Sequence, residues 1–307
     1  MKNKNNIHDK FLKSILSDKR LSKDFFRNFL PENIKAIVDL DSLISIDKSF
    51  VDSELKEIFA DALFLCKLKE KDNDFFISII VEHKSYPDKF VNIQILRYLA
   101  NGYSEQVKNG KEIKPILVFI YYHGKRKWVP KTIGELINDL PQELSEFVPH
   151  YNSIFIDLVR FSDEQLQNVG NVFLSSALTL QKYIHDPEQL IKNIELIFGT
   201  FFPEDYGNLL RTLIVYYLNT IQVDFVYLLE IIEKIPSPVK KEIMSTYELI
   251  EKQGIEKGFE QGIEKGVEKK TIEVIIRSYT KGLSYDLISD ITGLSIEKVK
   301  DIIDDYK

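Results

Sequence analysis

From Ile116 to Tyr122 the chain reads Ile-Leu-Val-Phe-Ile-Tyr-Tyr without a polar break. A strand can be apolar at every position only when both of its faces are covered. The segment therefore calls for a sheet with packed layers on both sides, and the neighbouring sequence offers them. Phe90–Lys108 carries helical periodicity through Ile93, Leu96, Leu99 and Tyr103. Residues 7–30 also read as helical, with Phe11, Ile15 and Leu16, then Phe25, Phe26, Phe29 and Leu30, and Pro31 stopping the run. After a short helix and a loop, Ser53–Ala60 reads as a further short helical segment. Two strands follow, Asp61–Lys69 and Phe75–Lys84, joined through the polar turn signal at residues 70–74. Ser153–Leu158 adds another strand. The order helix, strand, strand, helix, strand predicts an α/β domain with a mixed sheet over residues 1–160.

Beyond it, residues 161–249 read as an all-helical region punctuated by Pro187, Pro203, Pro236 and Pro238. Residues 250–270 form a helical linker in which Gly254, Gly258, Gly262 and Gly266 recur every four residues. Each glycine costs about 1 kcal/mol of helix propensity, so four of them imply a use. Close helix–helix approach in a homodimer and a semi-flexible connector both fit. Residues 271–307 have the outline of a small helix-turn-helix unit, with Ser284 and Ser295 as caps around Gly293. Its last helix carries Glu297, Asp301, Asp304 and Asp305, which would repel phosphate and argue for packing or assembly.

Composition narrows the chemistry. A single cysteine, Cys66, excludes an internal disulfide and suits a reducing compartment. The first residues lack the apolar stretch of a signal peptide, and no run is long enough to span a membrane, so a cytoplasmic location is expected. The net charge of −6 gives the whole chain no basic footprint. From Lys108 to Lys131, however, seven cations face one acid, Glu112. That stretch is either a DNA-facing surface or a solvated lysine-rich loop. No paired-cysteine zinc spacing or Gly-rich phosphate loop occurs.

One constellation remains. The first strand opens on Asp61, and the second closes on Glu82-His83-Lys84. Glu82 and Lys84 share a strand face. Asp61 joins them if the hairpin pairs residues whose numbers sum to an odd value, 143 or 145 for the pairs in question, whereas a one-residue slip would turn it away. Two carboxylates with the His83 carbonyl suit a hard divalent ion, Mg²⁺ first, with Mn²⁺ or Ca²⁺ as alternatives. Such an ion can activate a water against a phosphodiester, with Lys84 orienting that water or neutralising charge. Glu-x-Lys also occurs at 54–56, 112–114 and 268–270, so only its place at the end of an apolar strand sets this copy apart. Strand ends are also charged simply because they emerge into water. Gln94, in the next helix, is an accessory candidate. His123, Lys125, Arg126 and Lys127 are candidates for DNA contact.

A series of motifs runs in order along the chain: His8-Asp9-Lys10-Phe11, Asn28-Phe29-Leu30-Pro31-Glu32, Val38–Leu43, Phe50-Val51-Asp52, Asp61-Ala62-Leu63, Glu82-His83-Lys84-Ser85, Arg97-Tyr98 and Tyr122-His123-Gly124-Lys125 with Trp128. In these the chain resembles the bacterial family of recombination-promoting nucleases, also called putative transposases. The similarity covers about residues 5–160 and extends weakly into the glycine-spaced tail. It implies the PD-(D/E)XK restriction-endonuclease-like fold and a metal-dependent DNA endonuclease active in recombination or mobile-element biology, with Asp61, Glu82 and Lys84 as the catalytic set. Many members have Gln where this chain has Lys84, and Ala60 replaces the proline of the superfamily name. A catalytically inactive DNA-binding or assembly protein on the same fold is the alternative.

Overall fold

Five strands form one mixed sheet in the order β1-β2-β3-β4-β5: β1 Val38–Ser45, β2 Ala62–Leu68, β3 Asp74–Glu82, β4 Ile116–Tyr122 and β5 Ile154–Asp157. They belong to a computed structural model that describes residues 5–46, 62–69, 74–82, 87–108, 110, 112–200, 206–221 and 223–306. β1, β2 and β3 run antiparallel in turn, while β4 is parallel to β3, and β5 to β4. The mixed α/β architecture matches expectation. The short helix expected after Pro31 is α3, Glu32–Ile37, whereas the loop expected to follow it begins as the edge strand β1. Its alternation of Asp39, Asp41 and Ser42 with Leu40 and Leu43 hides a strand signal, because the β1–β2 pairing shifts between Asp39 and Ile44. Ser42 bridges that irregularity, donating to the Asp39 carbonyl at 2.6 Å and accepting from the Lys67 amide at 2.8 Å. The segment Ser53–Ala60 lies outside the described residues.

The first helical stretch is two helices, α1 Asn5–Ser17 and α2 Lys19–Phe29. Asp18 separates them because its side chain accepts from the Arg20 and Leu21 amides and starts a new helix. The Arg20 guanidinium beside it, with those amides, lowers its carboxyl below the ordinary range. α2 ends before Pro31, with Leu30 already extended.

α2 lies on one sheet face, where Phe26 meets Phe64 and Phe119 at ring separations of 5.1 and 5.5 Å. Helix α4, Val91–Lys108, connects parallel β3 and β4 and covers the other face. There Val91 and Ile95 pack with Val118, Ile120, Tyr122 and Trp128. Both faces of β4 are therefore buried, as its composition requires.

Helix α5, Val172–Tyr183, is capped by the Asn171 side chain and packs on the α2 side. Its buried Gln181 accepts a 2.7 Å hydrogen bond from Tyr121 on β4. Helix α6 spans Gly207–Ile221. All of this belongs to one compact unit, Met1–Met244.

The second unit is Ser245–Lys307. A single helix, α7, runs from Ser237 to Thr280, so the four spaced glycines lie within continuous helix. α8, Tyr285–Thr292, and α9, Ile296–Tyr306, close on it through Ile275, Ile288, Val299 and Ile303. Gly293 takes φ +70°, a left-handed helix end that favours glycine.

Candidate active site

The hairpin register decides which side chains can meet. β2 and β3 pair with constant sum, from Ala62 with Ile79 to Lys67 with Asp74, each adding to 141. The sum is odd, so odd positions of β2 share a face with even positions of β3. Parity is as anticipated, but the register is offset by two from the lower expected sum of 143. The reason is that the connection between the last paired residues, Lys67 and Asp74, has its midpoint one position earlier in the sequence than the expected sum requires.

Glu82 ends β3 with Tyr122 of β4 as its register partner. Even positions of β3 align with Val118, Ile120 and Tyr122, which pack against α4. The Glu82 position thus belongs to the α4-side row at the carboxyl end of the parallel strands, a usual place for sites in open α/β sheets. Asp61, His83 and Lys84 lie outside the described residues. Among the described residues, no group of three or more His, Cys, Asp or Glu is arranged to hold a metal ion.

The basic stretch does not act as one patch. β4 divides it, placing Lys108 and Lys114 before the strand and Lys125, Arg126, Lys127 and Lys131 after it. A seven-residue strand spans roughly 20 Å, so only the second group emerges at the Glu82 end. Lys125, Arg126 and Lys127 are exposed, and their backbone is held from below. Tyr122 Oη donates to the Arg126 carbonyl at 2.8 Å, and Asn92 at the start of α4 donates to the Lys131 carbonyl at 2.7 Å. Trp128 is buried edge-on against Tyr122 at 5.0 Å. Gly124 has no room for a side chain, since a Cβ there would stand 2.4 Å from Tyr122 Oη. The Tyr-His-Gly segment is thus the anchor of a cationic loop.

One expectation about a single residue changes. His123 is wholly buried, which removes it from any surface contact with DNA. It stacks on His185 at 5.2 Å and lies 5.4 Å from His8, whose Nδ1 is hydrogen-bonded to Tyr216 Oη on α6. Three histidines with no sequence proximity therefore share one site between α1, the end of β4 and the end of α5. Gln94 is half-buried and donates to Tyr98 Oη at 3.0 Å.

Asp157 is a carboxylate that the sequence did not single out. It ends β5, aligns with Tyr122 and so shares the row that holds Glu82. Burial raises its carboxyl above the usual range, against the opposing effect of Arg160 at 2.8 Å. Nothing local marks it, because a four-residue strand has too little periodicity to establish its face.

A family model described as "Putative transposase, YhgA-like" matches residues 6–205. The chain is 30% identical over 125 residues to recombination-promoting nuclease RpnD of Escherichia coli O157:H7, covering 40% of this chain and 47% of that protein. It is 24% identical over 202 residues to recombination-promoting nuclease RpnC of E. coli K12, covering 65% of each. Inactive recombination-promoting nuclease-like protein RpnE of E. coli K12 is 22% identical over 94% of both chains. The chain thus spans about half of RpnD and nearly all of RpnE. No solved structure matches.

Proposed function

The chain belongs to the YhgA-like putative transposase family, and from that premise we propose that it is a divalent-metal-dependent DNA endonuclease acting in recombination. Residues 1–160 carry the chemistry on a PD-(D/E)XK-type sheet. The observation that supports this most is the register of β3 with β4, which sets Glu82 level with Tyr122 at the strand end from which Lys125–Lys127 emerge. An acid at one position and three exposed cations on the next connection suit a phosphodiester: the cations hold the strand, and the acid serves the reacting group.

Asp61, Glu82 and the His83 carbonyl would hold the ion, Mg²⁺ before Mn²⁺ or Ca²⁺, and the odd β2–β3 sum favours Asp61 on the Glu82 face. The ion supplies a Lewis acid and a more acidic bound water. Lys84 then neutralises charge building on the phosphate. Gln94 stays an accessory candidate from α4, and Asp157 lies outside this set.

A second reading keeps the fold and loses the reaction. It is favoured by the nearly full-length match to a relative named inactive. Plasmid cleavage with Mg²⁺, Mn²⁺, Ca²⁺ or chelator, beside Glu82→Ala, separates the two. Metal-dependent nicking that Glu82→Ala abolishes supports the nuclease. Metal-independent DNA binding without cleavage by any ion selects the inactive scaffold.

A further inference from the structure

A cleft of about 210 Å³ lies between the start of α4, the connection after β4 and the segment leading into β5. Its apolar lining is Val129, Pro130, Ile133, Pro149 and Phe155. Its polar lining is Asn92, Thr132, His150, Tyr151, Asn152 and Ser153. Among the described residues, no acid, lysine or arginine lines it. We propose that this cleft takes one unpaired nucleobase of the DNA strand that Lys125, Arg126 and Lys127 hold. The inference rests on the proposed placement of DNA at this end of the sheet. It does not rest on cleavage, so it applies equally to an inactive scaffold.

Position and charge choose the occupant. Phe155 is level with Ile120 and packs with it on the α4 side of the sheet. It stands two strands across and two residues back from Glu82, roughly 12 Å by strand spacing and rise. The connection that carries the three exposed cations runs on directly into Val129, Pro130 and Thr132 of the cleft. A strand whose phosphates meet those cations therefore has a base within reach of the cleft. The cations outside suit phosphate. Inside, a phosphate would lose water and meet no cation, whereas a neutral ring enters without that cost.

The lining offers what such a ring needs. Phe155 and Tyr151 are half-buried aromatics, and base–aromatic contact tolerates any base. His150, Asn152 and Ser153 supply ring nitrogens, an amide and a hydroxyl, which match the mixed donors and acceptors of a base edge. Among the described residues, none of these three side chains makes a hydrogen bond within the protein. The walls are fixed in advance. Asn92 donates to the Lys131 carbonyl at 2.7 Å and accepts from Tyr151 Oη at 3.1 Å. Burial pushes the Tyr151 phenol up to about 12, so it keeps the proton it donates. Thr132 and Glu135 form a capping box that holds the next turn. The volume lies below the roughly 300 Å³ at which pockets for larger ligands begin. A base pair cannot enter so small a space, so the base must leave its partner first.

The test uses the full-length chain with chelator present, so that cleavage plays no part. A single-stranded oligonucleotide carrying 5-iodouracil is bound and irradiated, and the crosslinked peptide is identified. Attachment is expected within residues 129–133 or 149–155. Asn152→Ala combined with Ser153→Ala should weaken single-strand binding roughly tenfold. It should leave duplex binding and the salt slope unchanged, because no phosphate contact is lost. Crosslinks confined to other segments would overturn the cleft as a base site. So would a double variant that binds single strands like the wild type, or one that weakens duplex binding equally. A wild-type protein that binds neither form of DNA would overturn the DNA reading itself, and this inference with it.

Discussion

The carboxyl end of β4 and the repeat on α7 use the same residue classes to opposite ends. At β4, Tyr122, His123 and Trp128 are buried by the chain's own α1, α4 and α5, and Gly124 is a glycine because Tyr122 leaves it no space. On α7, four apolar residues face water beside four glycines that touch nothing among the described residues. Burial within the chain makes β4 a matter of folding. The exposed α7 stripe contributes little to folding, because apolar surface stabilises only where something covers it.

The comparison breaks first at its aromatic residues. Trp128→Ala should cost about 3–5 kcal/mol of stability in the first unit. Phe259→Ala should leave the unfolding of that unit unchanged, since the side chain is exposed. Chemical denaturation of each, followed at the Tyr122 end by hydrogen exchange, checks the contrast. A comparable loss from Phe259→Ala would mean that the tail stripe is covered by its own chain after all.

A smaller effect is expected on the opposite sheet face. Asp18→Ala should cost about 1 kcal/mol by uncapping α2, whose Phe25 and Phe26 press on β4 and β2. The Arg20 guanidinium, with the cap hydrogen bonds, holds the Asp18 carboxyl below its unfolded value. Its contribution is therefore complete above an unfolded pKa of about 3.9 and fades as pH falls through the lower folded value. Wild type and variant should converge in stability below that window. A constant gap down to pH 2 would assign the loss to packing rather than to the carboxylate.

The smallest effect on stability, near zero, is expected for Lys125, Arg126 and Lys127 replaced together by Ala, since all three side chains are exposed. Their effect should appear in DNA binding, with the log–log salt slope flattening by about 0.9 for each phosphate no longer neutralised. Replacing Lys108 and Lys114 instead should leave the slope nearly unchanged, because β4 carries them to its other end. Equal effects from both sets would mean that DNA tracks along the whole strand.

Much of the sheet region was legible in the sequence. β2, β3, β4 and β5 lie within a residue or two of the expected segments, because their apolar runs are bounded by polar turns and prolines. β1 was missed because its pairing shifts midway and its acids mask the pattern. The long first helix divides at Asp18 because a carboxylate can cap a new helix as readily as it can sit on the face of an old one. For the candidate site, the odd hairpin sum was readable as a requirement, whereas its value of 141 follows from the midpoint of the connection, which propensity does not set.

What the sequence determined by itself is local and periodic: which segments alternate or run apolar, where a cap or proline ends a helix, and glycines that recur every four residues from 254 to 266. What only the tertiary structure decided involves residues far apart along the chain. It divided the basic stretch between the two ends of β4, aligned Asp157 with Tyr122 and Glu82, and gathered His8, His123 and His185 into one interior site. The physical reason is that strand register and helix docking are set by the packing of whole faces. A lone histidine or aspartate carries no periodic signal of its own from which that packing could be read.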